Sequence, residues 1–205
     1  MHEALSYFVV LIIVLDPIGV AWLFSALTSQ NNPAQRRLMA IRGVVLAAVI
    51  MFVFFFVGDA LLNWMGISLP AFRIAGGILL FLLSLEMVFA RQSGLRSTTR
   101  GEQDEAEHKE DISVFPLAFP LLAGPGALTT ILLVAGNTQS VTEQLVYSAV
   151  ILIACLITLV ILLLSQQITK LLGQTGANVI SRLLGLILAA LAVQFVIDGI
   201  RSSMA

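Results

Sequence analysis

Two short stretches of this sequence could do chemistry, and each interrupts an apolar run. The first is Asp16-Pro17-Ile18-Gly19, inside LDPIGVAWLF; the second is Gly124-Pro125-Gly126, inside LAGPGALTTILL. Proline within a helix removes an amide donor and clashes with the carbonyl four residues back. With glycine beside it, the pattern predicts a broken helix. A break leaves free carbonyls on the first half and free amides on the second. Amides at a helix start carry partial positive charge and suit a carboxylate; the carbonyls suit an ammonium or a metal cation. Two such breaks brought together would make a compact site for a small zwitterion. The competing reading is that both prolines only kink helices that pack by their glycines.

The candidate substrate-binding residues are therefore Asp16, Pro17, Gly19, Gly124, Pro125, Gly126, Thr129 and Thr130. Asp16 comes first, because a carboxylate in mid-span is costly unless paired, hydrated or protonated. It could hold a substrate amine, bind a cation or accept a proton, or it could cap the amides of the second half-helix. The hydroxyls of Thr129 and Thr130 could line a cavity or bond back to earlier carbonyls. Glu86, Arg73 and Arg182 are candidates for coupling or gating. Each also has a plainer reading: Glu86 as an interfacial side chain, and the arginines as anchors reaching toward water. Asp59 and Asp198 are possible partners for Arg73. Cys155 sits in an apolar run and reads as a small buried hydrophobe. No metal-ligand cluster, phosphate loop or nucleophile with a partner base is present, so neither an enzyme nor a bound cofactor is expected. A proton or Na+ is the candidate coupling ion.

The elements that must position these residues are membrane helices. Of the 205 residues, 59% are apolar and 11% charged, against about 25% charged in a soluble domain. Six runs reach the roughly 20 residues that a span requires: 4–27, 43–62, 70–90, 112–135, 145–164 and 179–200. They fall into an all-α membrane protein with segments 1–90, 91–111 and 112–205. The middle segment, with four basic and six acidic residues, is a charged cytoplasmic linker. The N-terminus lacks Lys and Arg and reads as a retained span rather than a removable signal. Basic residues gather in the first, third and fifth loops, which puts those loops in the cytoplasm and both termini outside. The net charge of −1 offers nucleic acid no basic face.

The two outer segments also match each other. Pro17 and Pro125 are 108 residues apart; Arg73 and Arg182, like Gly76 and Gly185, are 109 apart. Each segment holds three spans, so a duplicated copy would enter the membrane from the opposite side. The fold class expected is six transmembrane helices in two inverted-topology repeats, with the first and fourth helices broken.

With these residues in view, the chain resembles the MarC family of bacterial inner-membrane proteins, part of the LysE exporter superfamily. The resemblance rests on LDPIG at 15–19, FRIAGGILLFLLSLEMVF at 72–89 and PLAFPLLAGPGALTTILL at 116–133. It implies six spans, an inverted repeat and a site for a neutral amino acid where the breaks meet. The sequence departs from the family's usual D-P-x-G-N-x-P by carrying Val20 and Trp22, which bears on the substrate more than on the fold. The expected function is a multi-pass inner-membrane secondary transporter of a small solute working by alternating access. A non-transporting scaffold or assembly protein is the alternative, and the glycine-rich spans leave self-association into a homo-oligomer open.

Overall fold

The computed structural model describes residues 2–89, 111–138 and 140–204. The charged linker lies outside the described residues except for Asp111, as does His108. The described chain is helical: α1 (His2–Leu15), α2 (Pro17–Leu27), α3 (Pro33–Trp64), α4 (Leu69–Phe89), α5 (Ser113–Leu122), α6 (Pro125–Ala135), α7 (Val141–Leu163) and α8 (Ser165–Met204). Five stretches are long and apolar enough to cross a membrane, with α1 and α2 together making one of them, Glu3–Leu27. The α5–α6 pair, bent by 57°, makes a sixth if taken as one span.

Local chemistry sets the boundaries. At the start of α3, Asn32 Oδ1 accepts from Gln35 N at 2.9 Å and Asn32 N donates to Gln35 Oε1 at 3.1 Å, with Pro33 next in line. This reciprocal capping box starts the helix inside the polar stretch 29–37, so Arg36 and Arg37 lie on its first turns. The α3–α4 turn needs Gly66, whose φ of 70° is free only to a residue without a Cβ. Ser140 caps α7 by accepting from Glu143 N at 3.2 Å.

Two segments add to or differ from the sequence expectation. The stretch 166–178, read as a break between spans, does contain one: Gly173 (φ 61°, ψ −177°) is non-helical, and two helices meet there at a kink within α8. What differs is that the polar residues on either side of Gly173 are helical rather than loop. Gln, Lys and Leu are good helix formers, and their polarity says nothing against a helix that leaves the bilayer. The second difference is α5, which is not an ordinary half-helix. Phe115 (φ −130°, ψ 127°) and Phe119 (φ −136°, ψ 130°) are extended, and each precedes a proline, Pro116 and Pro120. A residue before proline is pushed out of the α region. The segment therefore winds wide, with hydrogen bonds spanning five residues from Leu117 N to Ile112 O (3.1 Å) and Ala123 N to Ala118 O (2.8 Å).

The α1–α2 span lies at the centre of the bundle. Of its most apolar 18 residues 56% are buried, against 22% for α8. The outer helices show why. Val49, Val53 and Phe56 on α3, Leu152 and Leu156 on α7, and Leu183 and Leu186 on α8 all face outward, which leaves an apolar belt of the kind a membrane-spanning bundle presents to lipid. Inside, α4 and α8 pack antiparallel on small residues. Gly199 lies against Ile74, Gly77 against Val196 and the Ala192 carbonyl, and Gly185 against Met87 and the Ser84 carbonyl. Likewise, α3 runs alongside α5 and α6 in the same direction, with Gly43 on Leu117 and Gly58 on Leu132. Asp111, just outside the span, pairs with Arg42 at 3.2 Å. Hydrogen bonds from Ser113, chiefly its side chain and then its backbone N–H, hold the Asp111 carboxyl below the usual range, with Arg42 adding to the effect. Since both partners are about half exposed, this pair contributes little to stability.

The glycine contacts give a direct test. Gly77→Leu or Gly185→Leu would force a side chain into backbone of the facing helix and should cost about 1–3 kcal/mol. Thermal unfolding in detergent should show a lowered midpoint for both; a midpoint equal to that of the parent protein would disprove the packing.

Candidate functional site

The first break is built around one residue. Asp16 has a left-handed backbone (φ 41°, ψ 65°), the only non-glycine residue with positive φ among those described. It keeps both helices hydrogen-bonded across the break. Its N–H donates to the Ile12 carbonyl at 2.9 Å, and its own carbonyl accepts from Val20 N at 3.0 Å. Its carboxylate Oδ1 accepts from Gly19 N at 3.1 Å and so caps α2. Oδ2 accepts from the Ser181 hydroxyl of α8 at 2.9 Å. Gly19 is required here because a Cβ would collide with the Asp16 carboxylate and crowd the Ser181 hydroxyl. The carboxylate is only 2% exposed.

The second break has no carboxylate. Gly124 precedes α6 in an extended conformation (φ −75°, ψ 175°), and no side chain caps the helix start. A Cβ on Gly124 would strike the Pro120 carbonyl, so the bend itself depends on this glycine. Gly126 lies against Leu80 and Leu83 of α4 and against Val14, two residues before Asp16. The two breaks thus come within a few residues of each other. Thr130 bonds back to the Gly126 carbonyl at 2.9 Å, while the Thr129 methyl packs on Gly76. Both threonines are buried.

Beside the breaks runs a thin apolar seam lined by Leu15, Val44, Ala47, Met51, Leu122, Cys155 and Thr158. It has no room for a water molecule, and none of the candidate substrate-binding residues lines it. Leu15 and Leu122 stand just before the two breaks, and the remaining residues come from α3 and α7.

The other candidates scatter. Arg73 donates to Asn137 Oδ1 at 3.1 Å, beyond the end of α6, and not to Asp59 or Asp198. Those acids accept instead from Asn63 and Gln194 on their own helices, one turn away in each case. Arg182 is exposed on α8 beside Ser181, and Glu86 is buried on α4 rather than lying at the interface. Among the described residues no group of three His, Cys, Asp or Glu could hold a metal ion. Sequence reasoning missed Ser181. Its signal was a hydroxyl in an otherwise apolar helix, immediately before the arginine that marks the repeat.

Removing the Ser181 hydroxyl takes a donor from a buried acidic group, which should cost about 1–3 kcal/mol. Ser181→Ala should therefore lower the unfolding midpoint in detergent, and should cost little more once Asp16 is already Ala. Equal losses in both backgrounds would mean that the bond carries no stability.

Comparison with known proteins identifies the family. The model of the MarC family integral membrane proteins matches residues 1–204. A UPF0056 membrane protein of Buchnera aphidicola subsp. Schizaphis graminum is 35% identical over 202 residues, 98% of each chain. A UPF0056 membrane protein of Methanocaldococcus jannaschii is 36% identical over 191 residues, 93% of this chain and 92% of its own. The UPF0056 inner membrane protein YhgN of Escherichia coli (strain K12) is 36% identical over 204 residues, 100% and 99%. No solved structure matches. With its multiple membrane-capable helices and this similarity from end to end, the chain belongs to the MarC family of multi-pass integral membrane proteins.

Proposed function

We propose that this protein is a secondary transporter of a small zwitterionic solute, with the neutral amino acids as the class that fits, and that it acts by alternating access of two inverted repeats. It is read as a transporter and not as an enzyme, residing in the inner membrane with both termini on the outer side. The observation that carries the reading is the buried Asp16 carboxylate. It sits in a helix break, tied to Ser181 of the other half of the chain and close to the second break.

Helix directions support the inverted arrangement. α4 runs opposite to α8 and to α6, whereas α3 runs with α5 and α6. The packing partners also exchange in pairs. α2 packs on α8 as α6 packs on α4, and α3 packs on α5 and α6 as α7 packs on α1 and α2. A two-fold relation between residues 1–90 and 112–205 would produce this pattern. YhgN is called an inner membrane protein, and the Lys and Arg bias of the loops supports the orientation.

The chemistry divides between the breaks. Asp16 offers a negative group for a substrate amine, or for a coupling proton or Na+. The uncapped start of α6 offers amides for a carboxylate. The shut seam corresponds to an occluded state, from which the repeats would rock to open either side.

Purified protein in liposomes should show counterflow of labelled glycine or alanine. Asp16→Ala should reduce it at least about 100-fold, as expected when a buried charged contact is removed, while inserting normally. Absence of exchange across a broad amino acid panel with well-folded protein would refute the amino acid assignment. Full activity of Asp16→Ala would refute the role of that residue. A scaffold, by contrast, would tolerate apolar changes at Asp16 and Thr129 in cells.

A further inference from the structure

We propose that Arg36 anchors an oxyanion-binding site at the N-terminal end of α3, whose ligand is a phosphate group. Arg36 is 8% exposed, and its Nε is buried without a partner. Its guanidinium makes no ion pair among the described residues, where the one salt bridge joins Arg42 and Asp111. A buried Nε left in this way is expensive, since an unmet donor retains its desolvation cost. The position worsens it. Arg36 lies on the first turns of α3, a 32-residue helix, where the helix dipole is positive and disfavours a cation. Arg37 stands beside it, and Arg42 follows with its carboxylate partner already engaged. Arg36 is thus left at a helix start, next to a second arginine, with no anion of its own among the described residues.

Arg36 differs from an ordinary exposed anchor in its burial and in the unpartnered Nε. The neighbouring Arg37 is exposed and fits that description; Arg36 is turned onto the buried face of α3 with Met39, Ala40 and Gly43. A guanidinium is a planar fork of donors that matches the oxygens of a phosphate or a carboxylate. The site lies at the end of a span that the Lys and Arg bias assigns to the cytoplasm. Phospholipid phosphates crowd that boundary, and basic pockets between helices on this side take anionic head groups. The phosphate can therefore come from an anionic lipid or from solution. The proposal stands apart from the transport reading and does not depend on it.

The test uses the full chain, purified in detergent and stripped of lipid, with thermal unfolding followed during titration of phosphatidylglycerol, phosphatidylcholine or sodium phosphate. Saturable protection by phosphatidylglycerol but not by sodium phosphate assigns the site to a lipid head group. Protection by sodium phosphate assigns it to free phosphate. In Arg36→Gln the half-saturating concentration should rise at least roughly tenfold, the loss expected for a charged hydrogen bond. Arg37→Gln, an exposed neighbour, should change it about twofold or less. Arg36→Lys keeps the charge but loses the fork and should bind more weakly than the parent; it decides the matter if the glutamine variant does not fold. Failure of every probe to protect the parent protein overturns the proposal. So does protection of either Arg36 variant equal to that of the parent.

Discussion

In lipid a backbone N–H or C=O has no water to turn to, so a helix can be interrupted only where something else takes up the freed groups. The rest of this structure depends on how that constraint is met at Asp16. A left-handed residue turns the chain while its own N–H and C=O continue the ladder on either side. The side chain then takes the Gly19 amide that the missing turn would have left free. Every part of the motif has a task. Pro17 supplies the fixed φ of a first helical residue and has no N–H to satisfy. Gly19 leaves room for the carboxylate. Ser181 ties the break to a helix from the other end of the sequence. The carboxylate is consequently buried, held from two sides and placed beside the second break.

The second break meets the same constraint by different chemistry. No side chain caps α6, and the preceding segment is wound wide by Pro116 and Pro120. The two breaks are therefore unlike in charge. The transport proposal draws on that asymmetry for a solute with an amine at one end and a carboxylate at the other. Around the breaks, helices α4 and α8 close on glycines, and the seam between Leu15 and Leu122 is squeezed thin.

Much of this was legible in the sequence because lipid leaves few choices. Long apolar runs must be helices, and Pro17 and Pro125 cannot continue one without loss. What stayed hidden depends on three-dimensional neighbours. Pro116 and Pro120 lie in an apolar run whose hydropathy says span, and only the restriction on Phe115 and Phe119 reveals the wide coil. The break in 166–178 falls at Gly173, but the polar residues beside it gave no sign of being helical, since helix formation outside the bilayer is indifferent to polarity. Ser181 and Arg36 were similarly invisible. A lone hydroxyl and a loop arginine acquire meaning only when burial is known. The reading of Arg73 with Asp59 or Asp198 failed because each acid finds an amide donor one turn away on its own helix.

The central claim is that the shut seam beside the breaks opens alternately to the two sides of the membrane. Cys155, the chain's single cysteine, lines that seam and is 6% exposed, so it reports on opening without background. The direct measurement is the rate at which a small, membrane-impermeant thiol reagent labels Cys155 in right-side-out and in inverted membrane vesicles. Alternating access requires slow labelling from both sides, with both rates altered by an excess of the transported solute. Labelling from one side only, or no labelling from either, would contradict it.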